Sequence, residues 1–188
     1  MDTSVRLLEL LTELSYVKGE VTLASGKKSD FYIDCRKTIL TAEGHWLTGS
    51  AFLEIIEEHF PEADAVGGVA LGACPIASAV SLLSFTQGKK HLDAFYLRKE
   101  PKGHGMGKQL EGNIPAGTKC VIVEDVVTSG GSTLAALELA AKEGLDVAGV
   151  VVLVDRQEDS GIEKIRAKVP VVSIYTRQII KSAGTGDE

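Results

Sequence analysis

The chain has 188 residues, 44% of them hydrophobic and 24% charged, with a net charge of -6 and a pI near 5.3. That length suits one domain, and that composition supports a packed core rather than disorder. The acidic balance speaks against nucleic-acid or membrane-surface binding, which needs a basic face, and no apolar run approaches the ~18 residues of a membrane span. The N-terminus shows no signal-peptide core. Cys35, Cys74 and Cys120 are odd in number and form no C-x-x-C, so they read as reduced thiols of a cytoplasmic protein, with Cys120 a small buried apolar residue.

Taken in chain order, Leu7, Leu8, Leu10, Leu11 and Leu14 form a helical stripe behind the possible caps Asp2, Thr3 and Ser4. Val21 to Leu23 and Phe31 to Ile33 predict two short strands around the turn Ser25 to Asp30. A helix follows from about His45 to His59, with Trp46, Leu47, Phe52, Leu53, Ile55 and Ile56 as its apolar face. The pattern then alternates. Strands are expected at Ala63 to Ala70, Asp93 to Leu97, Lys119 to Glu124, Val147 to Val154 and Val171 to Tyr175. Helices are expected at Pro75 to Leu83, Ser132 to Glu143 (closed by Gly144) and Ile162 to Lys168. Lys99 to Pro115, rich in glycine, is a long loop. Continuously apolar strands such as Val150 to Val154 suit a parallel sheet covered on both faces. The fold class is therefore α/β: an open, mostly parallel twisted sheet with flanking helices. It divides into an N-terminal hood of about residues 1–36, a core of about 37–181, and a Gly- and acid-rich mobile tail at 182–188.

The strand ending in Glu124-Asp125 runs into Thr128-Ser-Gly-Gly-Ser132 and then a helix. Backbone N–H groups of such a loop make an anion nest at a helix N-terminus. Gly130 and Gly131 permit close approach and positive φ, and Thr128, Ser129, Ser132 and Thr133 add hydroxyls. An ordinary capped β–α turn is the bland alternative. Two adjacent carboxylates beside a phosphate site would repel the ligand unless they served hydroxyls or a metal ion. A ribose and a Mg²⁺-bound pyrophosphate supply both. Neither G-x-x-x-x-G-K-[ST] nor a correctly placed G-x-G-x-x-G occurs.

Val121 to Thr133 resembles the phosphoribosyl-pyrophosphate (PRPP) signature of type I phosphoribosyltransferases. Arg98-Lys99 through Lys102 and His104 to Lys108, basic and Gly-rich, is similar to the catalytic loop of the orotate phosphoribosyltransferase family. Cations there would neutralise the departing pyrophosphate, and loop closure would exclude water. The resemblance implies catalytic work for Lys102, His104 and Asp125. It implies PRPP contacts from Arg98, Lys99, Lys102, His104, Glu124, Asp125, Val126, Val127, Thr128, Ser129, Gly130, Gly131 and Ser132. Mg²⁺ would be the cofactor, bound mainly through PRPP rather than by protein ligands.

Thr22 to Lys37 resembles the hood of the same family, in its x-S-G-x-x-S-x-x-Y/F pattern, and implies orotate as the acceptor, contacted by Thr128 and Arg156. A solvated hairpin, and an ion pair of Arg156 with Glu158 or Asp155, are the structural alternatives. Two positions depart from the family pattern: Ala24 replaces a lysine of the hood, and Gly72 lies in a loop that elsewhere carries one. A non-standard backbone is expected at Ala70-Leu71. The resemblance further implies a homodimer in which Lys99 of one chain reaches the other's site. Two alternatives stand beside this reading: a phosphoribosyltransferase for a purine, and a non-catalytic PRPP-binding regulator of the same fold, which in a DNA-binding form would carry a basic helix-turn-helix. A fused (β/α)8 decarboxylase is not expected within 188 residues, since that barrel alone takes about 250 residues.

Overall fold

The computed structural model describes residues 3–22, 28–100 and 109–185. Helix α1 (Thr3–Leu10) continues into a π-helical turn (Leu11–Ser15), burying Leu7, Leu10 and Leu11. Four two-residue strands follow: β1 (Tyr16–Val17), β2 (Val21–Thr22), β3 (Lys28–Ser29) and β4 (Tyr32–Ile33). The two strands read from the sequence exist, but they do not pair with each other. β2 pairs with β3, while β4 turns back to pair with β1. Ser29 breaks the run. Its Oγ donates to the Phe31 carbonyl and accepts from the Phe31 N–H, so the backbone turns there.

A short helix α2 (Arg36–Ile39), not anticipated from the sequence, leads to α3 (Ala42–His59). α3 begins earlier than expected because Thr41 caps it: its Oγ1 accepts from Gly44 N–H at 3.0 Å, a contact worth about 1 kcal/mol. Leu47, Phe52, Leu53 and Ile56 are buried as expected, each such side chain contributing roughly 1.5–3 kcal/mol. Trp46 lies off that face and is 50% exposed.

The core alternates as read. β5 (Ala65–Val69), α4 (Ala73–Gln87), β6 (Asp93–Leu97) and β7 (Leu110–Glu111) are followed by β8 (Lys119–Val127), α5 (Gly131–Lys142), β9 (Asp146–Asp155), α6 (Gly161–Arg166) and β10 (Val171–Thr176). They form a six-stranded sheet of order β10-β9-β8-β5-β6-β7, parallel except for β7, which lies within the segment read as loop. From Cys120 to Val123 of β8 and from Val150 to Leu153 of β9 the side chains divide by parity. Val121, Val123, Val151 and Leu153 join the core under α3 and α4, whereas Cys120, Ile122, Val150 and Val152 join the one under α5 and α6. A strand buried on both faces needs apolar residues at every position, which is why these read as continuous runs. Cys120 is fully buried, and burial pushes its thiol up to about 12.

The chain adds a last helix, α7 (Arg177–Thr185), so the expected tail boundary at Ser182 falls inside a helix. Ile180 is fully buried against the core that also holds Leu7, Leu11 and Phe31. None of the helices among the described residues is long and apolar enough to cross a membrane.

Candidate active site

The strand order reverses between β5 and β8: one half of the sheet grows outward from β5 to β6, the other from β8 to β10. In open α/β sheets ligands bind beyond the carboxyl ends of the strands at such a switch point. Pairing of β5 with β8 stops at Gly67–Ile122, while β8 stays paired with β9 as far as Val127–Asp155. Glu124 and Asp125 therefore do not end the strand, as the sequence suggested. They lie on a stretch of β8 that has lost its β5 neighbour. A cleft of about 440 Å³ opens there, lined by Tyr32 to Arg36 from the hood side, Val69 to Gly72 beyond β5, Lys99, Glu124 to Val126, and Ser132. The Ala70–Leu71 peptide in this wall is cis, in line with the non-standard backbone expected there.

Next to it, Glu124 and residues 126–133 line a smaller cavity of about 240 Å³. This is the nest. The first bond of α5 runs from Leu134 N–H to the Gly130 carbonyl at 2.9 Å, leaving the amides before it outside the helix's own ladder. Gly130 is left-handed at φ 77°, and a Cβ on it would lie 2.8 Å from the Gly161 carbonyl oxygen. A Cβ on Gly161 would in turn lie 2.2 Å from the Thr128 carbonyl oxygen. The loop and the start of α6 thus interlock through two glycines. Gly131 is not left-handed, so the conformational demand expected of both glycines falls on Gly130 alone.

The two acids differ in setting. Glu124 is only 8% exposed; burial, followed by the charge of Asp125, pushes its carboxyl up to about 8. Thr133 Oγ1 donates to Glu124 Oε2 at 3.1 Å, so this buried hydroxyl serves the acid and not the nest. Asp125 is half-buried; its Oδ1 accepts its neighbour's N–H from Val126 and would meet a Cβ at Gly72 at 2.9 Å.

Of the basic loop, Lys102 and His104 lie outside the described residues, as do Ala24 to Lys27 of the hood. Lys99 lines the cleft, and also a second one of about 510 Å³ with Gln109, Ser132 and Lys142. Arg98 is directed elsewhere, toward Glu111 at 3.4 Å. Gln109, which sequence reasoning passed over, is buried and donates from Nε2 to the carbonyls of Arg98 at 2.9 Å and Lys99 at 3.2 Å. It ties the two ends of the loop together.

Arg156 does not line the cleft. It lies behind the hood, with Nη2 donating to the Phe31 carbonyl at 3.2 Å and paired with Glu158 at 3.1 Å. The Glu158 pair anticipated from the sequence is therefore present. Among the described residues the Arg156 Nε is nevertheless buried without a partner. Arg177 of α7, also missed from the sequence, pairs with Glu158 at 2.9 Å and with Asp30, and both guanidiniums sit within 6 Å of the buried Phe31 ring, at 5.7 and 5.5 Å. Among the described residues no group of His, Cys, Asp and Glu side chains is placed to hold a metal ion.

Residues 48–174 match the family model described as phosphoribosyl transferase domain. That range takes in the sheet, the nest and both acids. The chain belongs to the phosphoribosyl transferase family. Among relatives of this phosphoribosyltransferase, the orotate phosphoribosyltransferase of Sorangium cellulosum is 51% identical over 176 residues, covering 92% of this chain and 90% of that one. The crystal structure of Mycobacterium tuberculosis orotate phosphoribosyltransferase with Fe(III) dicitrate superposes with a TM-score of 0.83 at 33% identity, covering 95% of this chain and 99% of that one. The structure of the same enzyme with PRPP gives 0.78 at 30% identity, covering 96% and 99%.

Proposed function

We propose that this phosphoribosyltransferase transfers the ribose 5-phosphate of PRPP to orotate, giving orotidine 5'-monophosphate and pyrophosphate, a step of pyrimidine nucleotide synthesis. The observation that carries the chemistry is the adjacency, at one switch point, of an anion nest at the start of α5 and two neighbouring carboxylates on β8. The acceptor rests on the relatives, which bear the name orotate phosphoribosyltransferase at up to 51% identity over nearly the full chain.

In this reading the nest, Thr128 to Ser132, holds the 5-phosphate through backbone N–H groups and hydroxyls. Glu124 and Asp125 accept from the ribose hydroxyls. The C1–O bond to pyrophosphate breaks as the C1–N bond to orotate forms, the proton of that ring nitrogen passes to the departing pyrophosphate or to water, and positive charge develops on the sugar in between. Asp125 stabilises that charge, while Lys99, Lys102 and His104 neutralise the leaving group. The loop that bears them closes over the cleft and excludes water, so that the base and not water takes the sugar. Tyr32, which lines the cleft and is 38% exposed, offers an aromatic face to the flat base. The family resemblance assigns Thr128 and Arg156 to the base; here Thr128 lines the nest and Arg156 stands behind the hood on the Phe31 carbonyl, so Arg156 would reach the base only by leaving that contact.

Mg²⁺ supplies charge neutralisation on the pyrophosphate when bound. PRPP oxygens would be its main ligands, and the oxygens of Glu124 and Asp125 would accept hydrogen bonds from its hydration shell. We read the assembly as a homodimer in which the basic loop serves the partner's site. Leu82 and Phe85 on α4, 62% and 70% exposed, offer apolar surface for a second copy. The free thiols of Cys35, Cys74 and Cys120 suit the reducing cytoplasm.

The test is direct: mix protein, PRPP, Mg²⁺ and orotate, and follow the loss of orotate absorbance. Turnover that purine bases do not inhibit supports the reading. Turnover with adenine, guanine or hypoxanthine but not orotate would overturn it, and PRPP binding without turnover of any base would mark a regulator.

A further inference from the structure

The cleft carries an imbalance. The carboxylates of Asp34 and Asp125 line it, yet its intended occupant includes a pyrophosphate of high negative charge. The wall beyond β5, Ala70 to Cys74, bears no cation, and a Cβ at Gly72 would already crowd Asp125 Oδ1 at 2.9 Å. Positive charge for that wall has to come from across the cleft. Among the described lining residues only Lys99 and Arg36 are cationic.

We propose that Arg36, at the start of α2, is a binding residue for the pyrophosphate group of PRPP and takes the place of the cation missing from the Ala70–Cys74 loop. This rests on the PRPP-dependent reading above and adds to it a residue outside the signature and outside the basic loop. Asp34 prepares the guanidinium for the task. Arg36 Nε donates to Asp34 Oδ1 at 2.8 Å and Nη2 to Asp34 Oδ2 at 3.0 Å, so the plane is held from one edge. Its Nη1 has no partner among the described residues, and the side chain is 63% exposed. A fork fixed on one edge and open on the other meets a phosphate without the ordering cost of a free side chain. The plain alternative is a surface ion pair, which would contribute little to anything.

The experiment is calorimetric titration of the intact protein with Mg-pyrophosphate and, separately, with ribose 5-phosphate, which fills the nest but lacks the leaving group. Arg36→Gln should weaken pyrophosphate binding about tenfold, the loss of one charge-assisted contact, and leave ribose 5-phosphate affinity unchanged. Arg36→Lys should fall between the two. Removing Arg36 also bares the Asp34 carboxylate, so the double variant Asp34→Asn/Arg36→Gln separates the causes: it should stay weak. Unchanged pyrophosphate affinity in Arg36→Gln overturns the proposal, and so does equal weakening of both ligands, which marks a structural role. Recovery in the double variant overturns it too, because the effect then belongs to Asp34. A wild-type protein that binds neither ligand sinks the PRPP reading itself and this inference with it.

Discussion

Thr133 and Glu124 are joined by a 3.1 Å hydrogen bond between two buried side chains, one on the first turn of α5 and the other on β8. The bond couples the helix that forms the nest to the acid that stands beside it. Thr133→Val removes the donor and leaves a buried carboxyl oxygen unpaired, which costs roughly 1–3 kcal/mol. We expect a matching fall in denaturation midpoint and a raised KM for PRPP, with Thr133→Ser retaining most of both. A wild-type midpoint in the valine variant would show that the bond contributes nothing.

Glu124 also sets a pH dependence. Burial raises its carboxyl from 4.5 to about 8 in the folded protein. Between those values the folded state binds more protons than the unfolded state, so stability falls as pH rises through this window. Glu124→Gln should abolish that fall and be the more stable form near pH 8, by on the order of a few kcal/mol. Urea unfolding of both proteins at pH 5, 6.5 and 8 measures it; parallel curves would refute the assignment.

The interlock of Gly130 and Gly161 predicts that a residue remote from any catalytic motif disturbs PRPP binding. A methyl at Gly161 would sit 2.2 Å from the Thr128 carbonyl oxygen, so the nest has to move. Gly161→Ala should raise KM for PRPP by about tenfold or more, as displacement of a positioned phosphate site implies. Steady-state kinetics at saturating orotate read it out.

Gln109 holds the carbonyls of Arg98 and Lys99 with one amide nitrogen. Gln109→Ala removes both of these side-chain bonds and leaves only the backbone bond from Arg98 N–H to the residue 109 carbonyl. On the proposed reading, in which the loop acts in the transition state, kcat should drop several-fold while ribose 5-phosphate affinity stays as it was. Loss of both in equal measure would assign Gln109 to folding alone.

Arg177 shares Glu158 with Arg156 and lies over the Phe31 ring. Arg177→Gln should loosen the hood, raising KM for orotate several-fold with KM for PRPP unchanged, and cost about 1 kcal/mol of stability for the lost partly buried contacts. The two KM values, measured side by side, decide it.

Much of this protein was legible from local pattern. Continuous apolar runs at Val121 to Val123 and Val150 to Val154 specify doubly covered parallel strands, since only apolar residues are tolerated at every position there. Ser132 and the glycines before it mark the expected nest, because its donors are backbone N–H groups and need only small residues around them. The resemblance of Val121 to Thr133 to a known signature carried the family.

Other features depend on distance in space and leave no local trace. The end of β5–β8 pairing at Ile122, which exposes Glu124 and Asp125 to a cleft in mid-strand, is a property of paired residues 55 apart in sequence, such as Gly67 and Ile122. Arg177 meets Asp30, Glu158 and the Phe31 ring only after α7 folds against the hood, and α7 itself escaped notice because its polar, Gly-containing end resembles a tail. Thr133 reads as one more nest hydroxyl until the helix turns it inward to Glu124. The chain order thus determined which elements form and which chemistry they carry; the packing of the sheet against hood and helices decided which of those side chains share a site.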